Sequence, residues 1–167
     1  MLHAAGLSAE DGRSMALVAP GGTGKTTLAR LLGTTLGYLT DETVAITPTC
    51  RILAYPKPLS VRIQGRFPKD ESSPDDLGLL AAHPSPQLAA LVLLDRDPAW
   101  RRPELIDLGL LDAVEALARH TSSLGALPDP LQRMAELIGA VGGAQLCRYS
   151  EAVDVVPMLC RRLEKDR

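Results

Sequence analysis

Short apolar runs alternate along this chain with segments whose apolar residues recur every three or four positions. The runs 15–18 and 88–94 carry no charge, as expected of buried strands, and "AQLCRYS" is predicted to form a last strand. The segments "TLARLLGTTL", "PELIDLGLLDAVEALARH" and "DPLQRMAELIGAV" instead have the apolar spacing of amphipathic helices. Because strands alternate with helices, the pattern predicts an α/β fold with a mostly parallel central sheet and flanking helices.

The segment between the first predicted helix and residue 87 has a different pattern. Residues 37–46, "GYLTDETVAI", are rich in β-branched residues and predict a second strand that Asp41 and Glu42 interrupt. In "PTCRILAYPKPLSVRI" the prolines divide short extended pieces, which favours an antiparallel meander at the edge of the sheet. Residues 65–87 are polar and proline-rich, so we expect a mobile loop with at most one short helix, either a lid or a disordered segment.

A helix is predicted to follow the last strand and to reach toward Arg162. Ser150 and Asp154 are both candidate N-caps. Proline is tolerated in the first turn of a helix, so Pro157 favours Asp154 as the cap.

Composition limits the classes of function. The chain has 167 residues, a size typical of one domain over 1–167, and its formal charge of -2 with one Trp and one Phe offers no surface for nucleic acid. The longest apolar run is too short to cross a bilayer, and no signal peptide is evident, so we expect no membrane association. The three cysteines, with no CxxC pair, are typical of reduced thiols in a cytoplasmic protein.

The stretch "LVAPGGTGKTTLARLLG" carries the most specific motif. An apolar strand, a glycine-rich turn and a leucine-rich helix together make the P-loop of P-loop NTPase-like folds. In such a loop, backbone N–H groups and a lysine hold the phosphates of ATP, and a hydroxyl binds Mg²⁺. The predicted nucleotide-binding residues are Gly21, Gly22, Thr23, Gly24, Lys25, Thr26 and Thr27.

Turnover requires a carboxylate near Mg²⁺ or the attacking group, and two places offer one. Asp41 and Glu42 lie within a strand-like run, where acidic residues are disfavoured, so their placement calls for a reason. Asp95 ends "LVLLD", although a polar turn after a buried strand explains Asp95 and Asp97 equally well. We therefore place the chemistry at the first pair, with two solvated acids as the alternative.

Three cations in the proline-rich region are further candidates. Lys57, Arg62 and Arg66 could neutralise a transferring phosphoryl group or bind an acidic substrate. The alternative for each is an ordinary solvated surface residue.

With these residues in hand, the chain resembles the catalytic domain of the HPr kinase/phosphorylase family. The resemblance runs through "LHAAGL…DGRSMALVAPGGTGKTTLARLL", "GYLTDETVAI" and "YPKPLSVR", and "CRYSEAVDVVPML" is similar to the closing strand and helix of small HPr-kinase-like proteins. It covers nearly the whole chain, with the specific motifs near its start. The size and the proline-rich segment are most similar to short members that phosphorylate ribosomally made peptides, such as lasso peptides.

The resemblance also implies roles for individual residues. In that family an acidic pair on the strand after the loop helix supplies the general base and serves the metal. The implied base is Asp41, and Asp41 and Glu42 are implied to bind Mg²⁺ together with Thr26. A histidine just before the loop strand approaches the active site in the family, and His3 fills that position.

The sequence therefore predicts an ATP- and Mg²⁺-dependent kinase with Asp41, Lys25 and His3 as catalytic residues. Its expected partners are the nucleotide and the acceptor, a Ser or Thr of a peptide or small protein, with a precursor peptide as one candidate. Homo-oligomerisation stays open. The alternatives are a small-molecule kinase of the nucleoside or shikimate type and a nucleotide-binding regulatory module without turnover.

Overall fold

The computed structural model describes residues 1–61 and 70–164, which form strands flanked by helices. The helices are α1 (Lys25–Leu32), α2 (Leu110–Ala118), α3 (Pro130–Ala140) and α4 (Ala152–Glu164), with a short 3₁₀ helix at Leu124–Ala126. The strands are β1 (Ala4–Ser8), β2 (Arg13–Val18), β3 (Gly37–Thr40), β4 (Ala45–Ile46), β5 (Ile52–Leu53), β6 (Leu59–Val61), β7 (Asp70–Ser72), β8 (Leu80–Ala81), β9 (Gln87–Arg96), β10 (Glu104–Asp107) and β11 (Ala144–Tyr149).

The main sheet has seven strands in the order β10-β11-β9-β2-β1-β3-β8. Strands β11, β9 and β2 are adjacent and parallel, and β3 and β8 run in the same direction as these three. Only β1 and β10 run the opposite way within this sheet. The predicted α/β fold with a mostly parallel centre is confirmed. The carboxyl ends of β2, β3, β9 and β11 and the amino end of β1 all lie along one side of the sheet. We call this side the carboxyl edge.

The sheet separates two apolar layers. Along β2, Met15 and Leu17 pack on the side of α1 and α4, whereas Ala16 and Val18 pack on the side of α2 and α3. Leu28, which is fully buried, anchors α1 in the first layer. Burying a leucine of this kind contributes roughly 1.5–3 kcal/mol, so the helix that follows the glycine-rich loop is held firmly to the sheet.

The antiparallel pieces expected in the proline-rich region are present, but they do not extend the main sheet. Strands β4 and β5 form one two-stranded sheet, and β6 and β7 form another. The outermost strand of the main sheet beside β3 is β8, which pairs in parallel with β3. The predicted antiparallel pieces are thus present as separate two-stranded sheets, and the bridge between Arg51 and Gln87 links the first of them to β9.

Residues 104–107 form β10, although the sequence pattern predicts helix there. The apolar spacing of "PELIDLGLLDAVEALARH" runs through a strand and the helix that follows it, because α2 begins only at Leu110. Pairing with β11 along Glu104–Asp107 overrides the local helical period.

Helix α4 begins at Ala152, ahead of the predicted cap at Asp154. Pro157 therefore lies in the helix interior, outside the first turn. Proline has no backbone N–H, so the hydrogen bond that residue 157 would donate to the Val153 carbonyl is missing. Both residues are exposed, so water can hydrogen-bond that carbonyl oxygen instead.

The predicted mobile loop at 65–87 is only partly covered. Residues 65–69 lie outside the described residues, and the remainder contains strands β7 and β8 joined by a turn around residues 74–78. Mobility of this segment stays a prediction. No helix in the described ranges is long and apolar enough to span a membrane.

Candidate functional site

The glycine-rich loop connects the end of β2 to the start of α1. Gly22 and Gly24 have φ angles of 86° and 103°, a left-handed conformation that strains residues with a side chain. A Cβ atom at Gly21 or Gly22 would meet nothing within 4 Å, so open space lies beside this backbone. Tyr149 of β11 donates its hydroxyl to the Thr23 carbonyl at 3.1 Å and ties the loop to the sheet.

Lys25 lies at the first turn of α1 with only 7% of its surface exposed. Its Nζ atom donates to the Ala19 carbonyl at 2.6 Å and to the Pro20 carbonyl at 2.9 Å, so the side chain folds back over the loop. Burial lowers the pKa of Lys25, while the nearby Asp41 and Glu42 carboxylates act in the opposite direction. The ammonium group is thus partly desolvated and would gain from a bound anion.

Asp41 follows directly after β3 and is 6% exposed. The Thr26 hydroxyl donates to Asp41 Oδ2 at 2.9 Å, which joins the loop helix to the end of the neighbouring strand. Strand β1 separates β3 from β2 in the sheet, so the two strands are not neighbours. The contact forms because β2 and β3 run in the same direction and end at the carboxyl edge.

The Tyr38 hydroxyl approaches the other oxygen of this carboxylate. It lies 3.3 Å from Asp41 Oδ1 and 3.2 Å from the Lys57 carbonyl. Burial and the adjacent Asp41 raise the pKa of Tyr38, so its hydroxyl stays protonated and remains a donor. Both oxygens of Asp41 therefore have a hydroxyl neighbour.

Glu42, one residue further on, pairs with a different side chain. Its carboxylate forms an ion pair with Lys57, and its side chain is 58% exposed. Asp41 rather than Glu42 thus contacts the loop helix. Of the three candidate cations, Lys57 lies at the carboxyl edge, while Arg62 and Arg66 fall outside the described residues.

His3 precedes β1 and reaches the carboxyl edge because β1 runs opposite to β2 and β3. Its backbone N–H donates to the His120 carbonyl at 2.7 Å. His120 follows α2 and was missed by sequence reasoning, since no local motif links "ARH" to a loop almost a hundred residues away. The charges of Lys25 and His3 both act on its imidazole, so the three groups share one electrostatic neighbourhood.

His120 should make folding stability depend on pH. Burial, with the Lys25 and His3 charges, lowers the pKa of His120 below its ordinary value of 6.5. The unfolded chain then binds this proton more readily than the folded protein, so the free energy of unfolding falls as the pH drops below that value. When the pH is lowered from about 7 to about 5, the melting temperature should fall less for His120→Gln than for the wild type. His83→Gln serves as the control, and equal pH dependence in all three proteins would contradict the expectation.

Asp95 and Asp97, the second acidic candidates, are engaged elsewhere. Asp95 Oδ2 lies 3.5 Å from Arg148 Nε, on β11. The Asp97 carboxylate accepts from the Ala99 N–H at 2.7 Å, as in an ordinary turn.

The residues at the loop fit a nucleotide with Mg²⁺. Within 1–61 and 70–164, no three His, Cys, Asp or Glu side chains are grouped to hold a metal ion by themselves. Magnesium bound with a nucleotide needs fewer protein ligands, because it keeps water molecules and phosphate oxygens. The Thr26 hydroxyl and the Asp41 carboxylate supply two oxygen atoms 2.9 Å apart beside the loop.

Comparison with known proteins adds little to this geometry. No family model matches the chain, and no curated protein matches it. Among solved structures, the chain is similar to the HPr(Ser) kinase/phosphatase from Coxiella burnetii, with a TM-score of 0.47 and 12% sequence identity over 98% of this chain and 93% of that chain. A likeness of this size indicates at most a distant relationship in fold and says nothing about substrate or mechanism.

Proposed function

We propose that this protein transfers the γ-phosphoryl group of ATP to a hydroxyl, that of Ser or Thr in a peptide or small protein. One observation carries the proposal: Thr26 of the glycine-rich loop contacts the buried carboxylate of Asp41, next to the partly desolvated ammonium of Lys25. A carboxylate at this point can serve both the metal and the acceptor hydroxyl, as phosphoryl transfer requires.

The phosphates of ATP would lie in the open space beside Gly21 and Gly22 and at the amino end of α1. Backbone N–H groups there, with Thr23 and Thr27 in the same turn, bind anions without any side-chain reorganisation. The ammonium of Lys25 would exchange its two carbonyl contacts for phosphate oxygens, which stabilises the charge that develops during transfer.

Mg²⁺, when bound, would neutralise phosphate charge and orient the terminal phosphoryl group. Thr26 and Asp41 would hold it, and Glu42 would contribute from the second sphere, where it is paired with Lys57. Asp41 would also orient the acceptor hydroxyl and take its proton. The transition state of phosphoryl transfer is loose, so orientation matters more than the basicity of this carboxylate.

His3 and His120 line the acceptor side of this arrangement in the proposal. The lowered pKa of His120 keeps its imidazole neutral near pH 7, so it can accept a hydrogen bond from an incoming hydroxyl. The pair therefore helps to position the acceptor, while Asp41 remains the base.

The proposal is tested in two steps. Calorimetry should first detect ATP binding that depends on Mg²⁺. Incubation with ATP and pooled Ser and Thr peptides should then yield phosphopeptides by mass spectrometry, and Asp95→Asn should behave as the wild type. If ATP binds but only sugars or nucleosides are phosphorylated, the enzyme is a small-molecule kinase. Binding without any transfer would favour the regulatory module.

A further inference from the structure

A cavity of about 440 Å³ opens on the α2–α3 side of the sheet. The amino-terminal residues form one wall, Ile46 of β4 and the turn at 47–50 form a second, and the end of α2, the length of α3 and the 3₁₀ helix form the rest. Its lining is mainly apolar and includes Met1, Leu2, Ile46, Leu117, Met134 and Leu137. A volume of this size lies in the range of ligand sites, which are commonly 300–1,000 Å³.

The cavity lies next to the acceptor side of the proposed transfer site. Leu2 and Thr121 line it, and they are the chain neighbours of His3 and His120. The hydrogen bond from the His3 N–H to the His120 carbonyl closes the wall at that point. Leu2 is fixed further by two backbone hydrogen bonds with Val44. The cavity therefore begins one residue away from the histidine pair.

The lining of the cavity favours an apolar, extended ligand. Arg133 and Glu136, both on α3, contribute one charge of each sign beside the Met1 terminus, and the other side chains that line the cavity carry no charge. A ligand that places a hydroxyl beside Asp41 and also fills the cavity has to be elongated and apolar at its far end. A peptide in an extended conformation meets both conditions.

We propose that this cavity binds a bulky apolar side chain, such as leucine or phenylalanine, of the peptide that carries the accepting hydroxyl. The proposal rests on the proposed function for the identity of the ligand. Leu2 at the cavity wall lies two residues before Ala4, whose backbone N–H donates to the Glu42 carbonyl beside Asp41. An extended chain advances about 3.3–3.6 Å per residue, so the apolar residue should lie roughly two to four positions from the phosphorylated Ser or Thr. Substrate choice is then set by an apolar anchor beside the reacting residue.

The four methionines of this chain provide a readout that does not need activity. Met1 and Met134 line the cavity, whereas Met15 lies in the core and Met158 on α4. With labelled methionine methyl groups, serine peptides that carry leucine or phenylalanine within about four residues of the serine should shift the signals of the first two. The other two signals should stay unchanged, and matched peptides with aspartate at that position should cause no shift.

Variants then distinguish an effect on peptide binding at the cavity from an effect on ATP binding at the nucleotide site. Leu137→Lys places a charge in the cavity wall and should weaken binding of the leucine peptides at least tenfold while leaving ATP affinity unchanged. Leu111→Lys, on α2 at a position that is 83% exposed, is the matched control and should behave as the wild type. Ala140→Trp, which fills the cavity without adding charge, should reproduce the loss if Leu137→Lys fails to fold.

The outcomes distinguish this proposal from the proposed function. Methyl shifts without any phosphopeptide would support the cavity and contradict the kinase. Phosphopeptides with no preference for an apolar neighbour, and no shift at Met134, would overturn the cavity. Shifts caused only by a small apolar dye, or shifts that depend only on protein concentration, would also overturn it, in favour of a small ligand or a second copy of the chain.

Discussion

Replacing Lys25 with alanine should weaken ATP binding by about 10-fold to 100-fold, because a hydrogen bond to a charged group contributes roughly 1.5–3 kcal/mol. The buried position of Lys25 strengthens this expectation. Its ammonium is partly desolvated and meets only two carbonyl oxygens in the loop, so bound phosphate improves its surroundings more than it would for a solvated lysine. Calorimetry with ATP and Mg²⁺ measures the change directly, and phosphoryl transfer should fall at least as far.

The fold should survive this substitution. Lys25 loses two hydrogen bonds and the packing of its buried stem, but removing a partly desolvated charge offsets part of that loss, so we expect a lower free energy of unfolding in a protein that still folds. Arg30→Ala, at an exposed position of the same helix, is the control and should leave ATP affinity unchanged. If Lys25→Ala binds ATP and transfers phosphate as the wild type does, the loop does not hold a nucleotide.

Replacing Asp41 with asparagine should reduce phosphoryl transfer by about a hundredfold or more, the usual scale for loss of a general base. The substitution nearly preserves the shape of the side chain, and an amide oxygen can still accept the Thr26 hydroxyl. The negative charge that would bind Mg²⁺ and take the acceptor proton is lost. ATP should still bind, since Lys25 and the loop backbone are unchanged. Single-turnover assays at saturating ATP isolate the transfer step.

Glu42→Gln provides the matched comparison, because it removes a charge from the next residue. That carboxylate is exposed and paired with Lys57, so its loss should mainly raise the Mg²⁺ concentration needed for half-maximal rate. Wild-type rates in both variants would move the chemistry away from this strand end. Asp95 would then be the remaining acid at the end of a buried strand, although it lies beside Arg148.

Much of the framework could be predicted from local pattern. Strand β9 and helix α3 were found because long apolar runs and helical spacing are strong signals over ten or more residues. The glycine-rich loop was found because left-handed backbone at Gly22 and Gly24 requires glycine. Short elements such as β10 were missed because four residues carry too little periodicity to distinguish a strand from the start of a helix.

The residues of the candidate site also fall into those that a local pattern predicts and those that depend on the tertiary structure. The sequence by itself determined the loop, Lys25, Thr26 and the acidic pair at 41–42, since each depends on a motif or on an unusual residue within one segment. Only the tertiary structure decided that β1 inserts between β2 and β3 and that Asp41 rather than Glu42 meets Thr26. It also decided that His120 joins His3. The physical reason is that strand order and side-chain direction at a strand end depend on contacts between distant segments, which no local pattern records.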